Sequence, residues 1–283
     1  MSFVRIALYQ ARSGIEPATN ALRLVAAVRE AAAGGAAMLF TPEMSGMVDR
    51  NRERACATAR AEHEDVVLAA VCEAAREAGL WVHLGSLALR GENAKLVNRG
   101  FVIDAAGTIV ARYDKIHLFD VDLPTGESWR ESAMYDAGRE AVVVNGTPVG
   151  RLGLTICYDL RFPALFERLS EAGAEVISIP AAFTVPTGKA HWQVLLRARA
   201  IEAGLFVIAA AQAGLHEDGR ETYGHSLVVD PWGQVLTELG GEPGVEFVEL
   251  DLAIVAEVRS RIPVLDHRQT IGAARIDSRD RAP

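Results

Sequence analysis

The sequence has few cysteines and none of the common metal-binding motifs. Its 283 residues include three cysteines, which is an odd number, and no CxxC pair is present. Neither a disulfide framework nor a thiolate metal site is therefore expected. The seven histidines form no HExxH or HxH pattern, which argues against a zinc hydrolase and against a bound metal in general.

The motifs that identify many nucleotide-binding proteins and serine hydrolases are absent as well. No GxGxxG follows a predicted strand, and neither GxxxxGK[ST] nor GxSxG occurs. The sequence thus gives no support for dinucleotide binding, for phosphoryl transfer from a P-loop, or for a serine nucleophile elbow.

The chain also lacks an excess of positive charge and a long apolar run. Lys and Arg number 29 against 37 Asp and Glu, which gives a net charge of −8 and no basic field to attract nucleic acid or an anionic membrane. No stretch reaches the roughly 18 uninterrupted apolar residues of a membrane span, and no basic segment precedes an apolar run in MSFVRIALYQARSG. We expect a cytoplasmic protein that binds neither nucleic acid nor membrane.

Apolar residues are abundant and follow an alternating pattern of strands and helices. Half of the residues are hydrophobic, enough for a large core in one or two domains. Short runs rich in β-forming residues, such as FVRIALY and AAMLF, alternate with helical stretches such as EDVVLAAVCEAAREA. Gly79 stands where that helix needs a C-cap. The pattern is typical of an α/β protein.

The first half of the chain recurs in the second half. FVIDAAGTIV aligns with LVVDPWGQVL, which places Asp104 opposite Asp230 and Gly107 opposite Gly233, and both segments are typical of β-hairpins. Two further pairs match in the same order, namely GGAAMLFTPEMSG with AGAEVISIPAAFT and LWVHLGS with LFVIAAA. We infer two halves with a common succession of strands and helices.

Two such halves predict a four-layer αββα sandwich. Each half forms a mixed sheet with helices on one face, so its other apolar face needs cover, which the second sheet provides. No linker rich in Pro, Gly or Ser separates the halves near residues 140–150, which favours a single domain over residues 1–272. Residues 273–283 are charged and aperiodic and are interpreted as a tail.

Cys157 is a candidate nucleophile at the end of the strand GRLGLTIC. The residues YDLRFPALFERLSEAGAE that follow it predict a helix, with Pro163 in its first turn. A helix N-terminus and nearby Arg161 would favour the thiolate form of Cys157. A small buried residue that only packs is the alternative for Cys157, and packing is the interpretation of Cys56 and Cys72.

Three charged residues are candidates for acid–base and oxyanion chemistry. Glu43 follows the strand AAMLF, and Lys115 follows the first hairpin among apolar neighbours, where an ammonium group can stabilise an oxyanion. Glu131 lies in an aperiodic stretch, residues 118–138, of a length typical of active-site walls. Taken one at a time, each of the three is equally compatible with an ordinary surface charge.

Glu43, Lys115 and Cys157 lie in three motifs that together resemble the nitrilase superfamily of carbon-nitrogen hydrolases. The motifs are TPEMSG, YDKIHLF and LTICYDLRFP, and the likeness extends over residues 3–270. The further segments AHWQVLLRARAIE, YGHSLVVDPWG and RIPVLDHR resemble the Nit amidase branch. That branch acts on deaminated glutathione and on omega-amides of 2-oxo acids.

The resemblance implies a catalytic role for each motif residue. Glu43 becomes the general base, Lys115 the oxyanion-stabilising cation and Cys157 the nucleophile, while Glu131 matches a second glutamate of the branch. It also implies a thioester intermediate, a homodimer of αββα sandwiches, and no metal or organic cofactor.

Four residues are candidates for substrate contacts. The backbone N–H of Tyr158 would help to hold the oxyanion, and Arg161 would bind a carboxylate or else tie the turn to Asp159. Phe183 and Thr187, in the loop AAFTVPTGKAHW, would line the pocket. We therefore expect an amidase for a small acidic amide.

Two other functions remain open at this point. The same three catalytic residues would serve an N-carbamoyl amide hydrolase or a nitrilase. A non-catalytic interaction protein of the same fold would have no need of all three residues.

Overall fold

The computed structural model describes residues 3–93, 95–122, 126 and 128–275. Its strands are β1 (Phe3–Gln10), β2 (Met38–Phe40), β3 (Trp81–Arg90), β4 (Leu96–Ile103), β5 (Ile109–Asp114), β6 (Asp120–Asp122), β7 (Ser128–Arg130), β8 (Tyr135–Asp136), β9 (Val142–Thr147), β10 (Gly150–Leu154), β11 (Val176–Ser178), β12 (Phe206–Ala209), β13 (Ala213–Leu215), β14 (Glu221–Tyr223), β15 (Leu227–Val229), β16 (Val235–Glu238) and β17 (Gly244–Asp251). Its helices are α1 (Pro17–Ala33), α2 (Arg52–Thr58), α3 (Val66–Ala78), α4 (Pro163–Glu171), α5 (Val185–Ala203) and α6 (Ala253–Arg261).

Two large sheets repeat one topology. The first has the order β17-β1-β2-β3-β4-β5, with β8 beside β4, and the second has the order β16-β15-β12-β11-β10-β9. In each sheet three parallel strands, β1-β2-β3 or β10-β11-β12, continue into an antiparallel pair, β4-β5 or β15-β16. The predicted internal repeat is confirmed strand by strand.

The two hairpin turns of the repeat are built in the same way. The Asp104 carboxylate accepts hydrogen bonds from the backbone N–H groups two and four residues further on, and Asp230 does the same. Gly107 and Gly233 have φ of +78° and +86°, a region that favours glycine. The matched residues in the sequence therefore mark identical turns.

The sheets pack face to face, with helices outside. Ile6 and Leu8 of β1 belong to the same apolar cluster as Leu152 and Leu154 of β10. Ala7, which points the other way along β1, packs with residues of α1 and α3. The alternation along the strands thus separates an inner layer from an outer one, and the four-layer αββα sandwich is confirmed.

Helix boundaries follow the sequence signals with one exception. Helix α3 ends at Gly79, which has φ of +62° and caps it, as predicted. The helix predicted after Cys157 has Pro163 in its first turn, as expected, but the residues YDLR before it do not belong to it. A short 3-10 segment, Cys157–Arg161, comes first, and α4 begins only at Pro163. Phe162 is extended because a residue before proline disfavours the helical conformation.

Two smaller expectations concern the remaining cysteines and the tail. Cys72 packs against the outer apolar layer, but Cys56 of α2 is exposed, so its interpretation as a packing residue is wrong. Residues 273–275 of the predicted tail are exposed and outside regular structure, whereas 276–283 lie outside the described residues. The boundary at residue 272 stays a prediction. No helix among the described residues is both long and apolar enough to cross a membrane.

Candidate active site

Three strand ends bring the candidate catalytic residues together. Glu43 lies three residues after β2, Lys115 directly follows β5, and Cys157 lies three residues after β10. The Lys115 ammonium group is 2.8 Å from Glu43 Oε1, although 72 residues separate the two in the chain. Glu43 and Lys115 follow strands of the first sheet, Cys157 follows a strand of the second, and all three line one cavity. The packing of the two sheets therefore joins residues of both halves in one site.

The Glu43 carboxylate is buried and fully hydrogen-bonded. Its Oε1 accepts bonds from Lys115 Nζ at 2.8 Å and from Asn98 Nδ2 at 2.9 Å. Its Oε2 accepts a bond at 3.0 Å from the backbone N–H of Ala182, which follows β11 in the second sheet. Both oxygens are therefore held in place next to the thiol of Cys157.

Lys115 is held between two carboxylates. Its Nζ lies 2.9 and 3.1 Å from the oxygens of Glu131 as well as 2.8 Å from Glu43. Burial by itself lowers the pKa of Lys115, but the charges of Glu131 and Glu43 outweigh it and raise that pKa well above its ordinary value. Lys115 is therefore a permanent cation in the site.

Glu131 is the second carboxylate that binds Lys115. It begins a 3-10 segment, Glu131–Ala133, and its Oε2 also accepts a bond at 2.7 Å from the backbone N–H of Phe119. Asn98 Nδ2 lies 3.3 Å from Glu131 Oε1 and so bridges the two carboxylates. The sequence analysis missed Asn98. The available signal was a polar residue inside the apolar strand LVNRGFVI.

Cys157 has a left-handed backbone conformation and a thiol whose pKa is raised. Its φ is +50°, rare for a residue with a side chain, and its N–H donates to the Pro180 carbonyl at 2.9 Å. Burial and the charge of Glu43 raise the pKa of the thiol, whereas Lys115 and the Ala182 N–H lower it. The first two effects are larger, so the pKa lies well above its usual value. The predicted preference for thiolate is therefore wrong, since the carboxylate beside the sulfur disfavours a second negative charge.

Asp159 ties the Cys157 turn to the segment that carries Lys115. One oxygen accepts bonds from Ile156 N–H at 2.9 Å and from the Tyr113 hydroxyl at 2.6 Å. The other accepts the His117 N–H at 3.0 Å and contacts the ring of His117 at 2.7 Å. The suggested link between Asp159 and Arg161 is wrong, because these groups already surround the buried carboxylate.

A cavity of about 460 Å³ contains the four candidate catalytic residues. Tyr158, Phe183 and Thr187 line it as well, as the sequence analysis expected of pocket residues. Arg161 is not among the lining residues. Its guanidinium group lies 3.3 Å from His191 Nδ1 and packs against the rings of Tyr158 and Phe183.

The wall of the cavity carries arginines that the sequence analysis did not single out. Four of them line it, namely Arg50, Arg52, Arg130 and Arg220. No short motif marks them, because three segments far apart in the chain contribute them. In the part of the chain that the structure describes, no group of three or more His, Cys, Asp or Glu side chains is arranged to hold a metal ion.

This arrangement has the parts that acyl transfer requires. A buried carboxylate adjoins a protonated thiol, which allows the proton to leave as the sulfur attacks. The Lys115 ammonium group and the backbone N–H of Tyr158, the second residue of the 3-10 segment, are placed to stabilise a developing oxyanion.

Comparisons with known proteins agree with this chemistry. The family model described as carbon-nitrogen hydrolase matches residues 5–260. Deaminated glutathione amidase of Mus musculus is 42% identical over 246 residues, which are 86% of this chain and 76% of that protein.

Two solved structures share the fold. The Caenorhabditis elegans NitFhit protein matches with a TM-score of 0.88 and 38% identity over 95% of this chain and 66% of that one. A mutant amidase from Nesterenkonia sp. AN1 matches with a TM-score of 0.77 and 28% identity over 92% of this chain and 96% of that one. That structure shows covalent addition of the acetamide moiety of fluoroacetamide at the active site cysteine.

Proposed function

The chain belongs to the carbon-nitrogen hydrolase family, and on this basis we propose that it is an amidase for a small acidic amide, with Cys157 as nucleophile. The observation that carries the proposal is the contact of Glu43 with both Cys157 and Lys115 inside one cavity. Deaminated glutathione, the substrate named for the mouse relative, is the first compound to test.

Acylation begins with a proton transfer. Glu43 takes the proton of the Cys157 thiol as the sulfur attacks the amide carbonyl, so that no free thiolate has to persist in the buried site. The oxyanion that forms is stabilised by Lys115 and by the backbone N–H of Tyr158. Protonated Glu43 then gives its proton to the departing amine or ammonia, and a thioester remains on Cys157.

In deacylation, water is the nucleophile and the sulfur of Cys157 is the leaving group. A water molecule attacks the thioester while Glu43 removes its proton, and the same donors stabilise the second oxyanion. The carboxylic acid product leaves, and the proton held by Glu43 returns to the sulfur of Cys157. Throughout both steps Glu131 keeps Lys115 oriented toward the reacting carbon. These steps require no metal or organic cofactor.

An assay of product release tests this function. Deaminated glutathione, 2-oxoglutaramate, an N-carbamoyl amino acid and a simple nitrile are incubated with the purified protein, and released amine or ammonia is measured. We expect turnover of the acidic amides and its loss in Cys157→Ala, with an unchanged circular dichroism spectrum. Turnover of only the carbamoyl compound or the nitrile would reassign the substrate, and undiminished turnover in Cys157→Ala would contradict the mechanism.

We also propose that the protein acts as a homodimer. Val194 and Ile201 on α5 are 68% and 50% exposed, and Trp232, in the β15-β16 turn, is 59% exposed. Such apolar side chains on one outer helix and its neighbouring turn favour contact with a second copy.

A reducing compartment suits the proposed nucleophile. Cys56, Cys72 and Cys157 are all free, and a catalytic thiol must remain reduced to act. We therefore propose a cytoplasmic location, which cell fractionation with an antibody would test.

A further inference from the structure

Arg220 lies on the wall of the catalytic cavity next to Trp129. It precedes β14, in the turn that connects it to β13, and lines the same cavity as Cys157. Its guanidinium carbon is 4.7 Å from the centre of the Trp129 ring, a distance typical of a cation–π contact. The side chain keeps 18% of its surface exposed. A rigid cation thus faces the space where substrate must bind.

Two hydrogen-bond donors of this pair have no acceptor. Arg220 Nε and Trp129 Nε1 are both buried from solvent and both lack a hydrogen-bond partner within the described structure. Buried donors without partners are uncommon, because each one loses its bonds to water without compensation. The contact between the Arg220 guanidinium group and the Trp129 ring therefore joins two side chains whose donors find no acceptor in the described protein.

The nearest carboxylate does not satisfy Arg220. Asp218 Oδ2 is 3.7 Å from Nε, which is beyond hydrogen-bonding distance. The same oxygen accepts the backbone N–H of Arg50 at 2.7 Å, and Oδ1 accepts the backbone N–H of Arg220 at 2.9 Å. Asp218 therefore shapes the turn, and it leaves the guanidinium group available.

Several other charges of the cavity are already engaged, and Arg50 and Arg52 on its wall are exposed to solvent. Glu43 and Glu131 both bind Lys115, and Arg130 forms two bonds with the carboxylate of Asp122. Arg161, the sequence-based candidate for an anion site, is outside the lining and contacts His191. Among these groups, Arg220 is a largely buried cation that has an ion pair with Asp218 at 3.7 Å but no hydrogen-bonded anion.

We propose that Arg220 and Trp129 bind a carboxylate of the amide substrate and so determine the preference for acidic amides. The inference rests on the proposed amidase function. The planar guanidinium group suits a carboxylate, and the indole N–H adds a second donor. The ligand class is a short aliphatic amide with a carboxylate a few atoms from the reacting carbonyl.

Paired substrates with and without a carboxylate test the assignment. Deaminated glutathione carries one carboxylate on the acyl part and one on the leaving amine. Levulinoyl-cysteinylglycine lacks the first, and the glycine amide of deaminated glutathione lacks the second. The ratio of kcat/KM for the parent compound to that for each analogue is measured in the wild type and in Arg220→Gln, by the release of free amine.

We expect Arg220→Gln to lower kcat/KM for the parent by about 10- to 100-fold, mainly through KM, the range expected for a hydrogen-bonded ion pair. The analogue without the relevant carboxylate should change little. If the levulinoyl analogue is insensitive to the mutation, Arg220 binds the carboxylate of the acyl part. If the glycine amide is insensitive, Arg220 binds the carboxylate of the leaving amine. Either result supports the proposal.

Three further variants separate binding from structural damage. Arg220→Lys keeps the charge but not the planar fork, and we expect a smaller loss. Trp129→Phe removes the indole N–H together with the five-membered ring that packs on Arg220, and we expect a loss of about threefold to tenfold. Arg29→Gln removes the same charge from the exposed face of α1, and we expect wild-type kinetics.

Several outcomes would overturn the assignment. One is an equal loss for all three substrates in Arg220→Gln, which indicates a structural role. Another is a loss of the charge preference in Arg161→Gln but not in Arg220→Gln. If the wild type hydrolyses none of the amides, the proposed function fails. In that case the carboxylate site is tested without catalysis, by calorimetry of glutarate binding to Cys157→Ala. An equal Kd in the double variant Cys157→Ala with Arg220→Gln would refute the assignment of Arg220.

Discussion

At the scale of the residue, the charge balance around Lys115 determines what Glu43 can do. Two carboxylates and one ammonium group give the buried cluster a net charge of −1. When Glu43 takes the proton of Cys157, the remaining pair of Lys115 and Glu131 is neutral. The second glutamate thus leaves Lys115 paired with a carboxylate while Glu43 changes its protonation state.

The same balance predicts how the reactivity of Cys157 depends on pH. The negative charge of Glu43 raises the pKa of the thiol, so removal of that charge lowers it. In Glu43→Gln, alkylation of Cys157 by iodoacetamide should reach half its maximal rate at a lower pH than in the wild type. Amide turnover should nevertheless fall by about 100-fold or more, because the base is missing.

Mass spectrometry of the labelled protein measures this prediction. Cys56 is exposed in the same chain and serves as the internal control, with the same alkylation profile in both proteins. A midpoint for Cys157 that stays in place or moves to higher pH in Glu43→Gln would contradict the assigned charge of Glu43.

Residue types in the site were predictable, but their electrostatics were not. The motifs around Glu43, Lys115 and Cys157 sufficed to select these residues. The direction of the thiol pKa depends on burial and on a carboxylate from the other sheet, which no local pattern shows. Asn98 and Arg220 were missed for the same reason, since their contacts with the site are long-range.

At the scale of the element, Asp159 connects two strand ends. It binds Ile156, before the nucleophile, and both Tyr113 and His117, on either side of Lys115. The carboxylate is completely buried, so these bonds do not compete with water. Asp159 is therefore a positioning residue that keeps Cys157 in its left-handed conformation beside the Lys115 segment.

Replacement of Asp159 should disturb geometry more than binding. In Asp159→Asn the amide group puts a donor where the native carboxylate accepts bonds, and we expect kcat to fall by about 100-fold with little change in KM. The free energy of unfolding should decrease by about 2–4 kcal/mol, as for a buried network that loses a charged member. Steady-state kinetics and urea denaturation measure the two effects.

Tyr113→Phe provides the graded control. It removes one donor to Asp159 and leaves the bonds from Ile156 and His117, so we expect a loss in kcat of about tenfold or less. A large rise in KM with unchanged kcat in Asp159→Asn would assign that residue to substrate binding instead of positioning.

Elements were predicted well where local signals determine them. The repeated hairpins and the glycine at the end of α3 were correct because turn chemistry and capping act within a few residues. Pro163 lies in the first turn of α4 as predicted, but the residues YDLR before it form a 3-10 segment because Pro163 excludes Phe162 from the helical conformation. Consequently the 3-10 segment, and not the longer helix, presents its N–H groups beside Cys157.

At the scale of the whole molecule, the repeat explains where the site lies. Each half supplies a parallel strand end, with Glu43 after β2 and Cys157 after β10, and the facing of the sheets brings these ends together. The sequence predicted this layout because the halves match in order. It contains no comparable signal for association of whole chains, since exposed apolar residues become apparent only after folding.

The exposed apolar residues of α5 predict a dimer that a single charge weakens. A glutamate at Ile201 would be buried without a partner in the interface, so we expect Ile201→Glu to raise the dimer Kd by about 100-fold. Light scattering coupled to size exclusion should give twice the 30.4 kDa of one chain for the wild type and a single chain for the variant at micromolar concentration. Leu22→Glu, at a residue of α1 that is 73% exposed on the opposite outer layer, should remain dimeric. A wild-type protein that elutes as one chain, or equal behaviour of the two variants, would exclude an interface centred on α5.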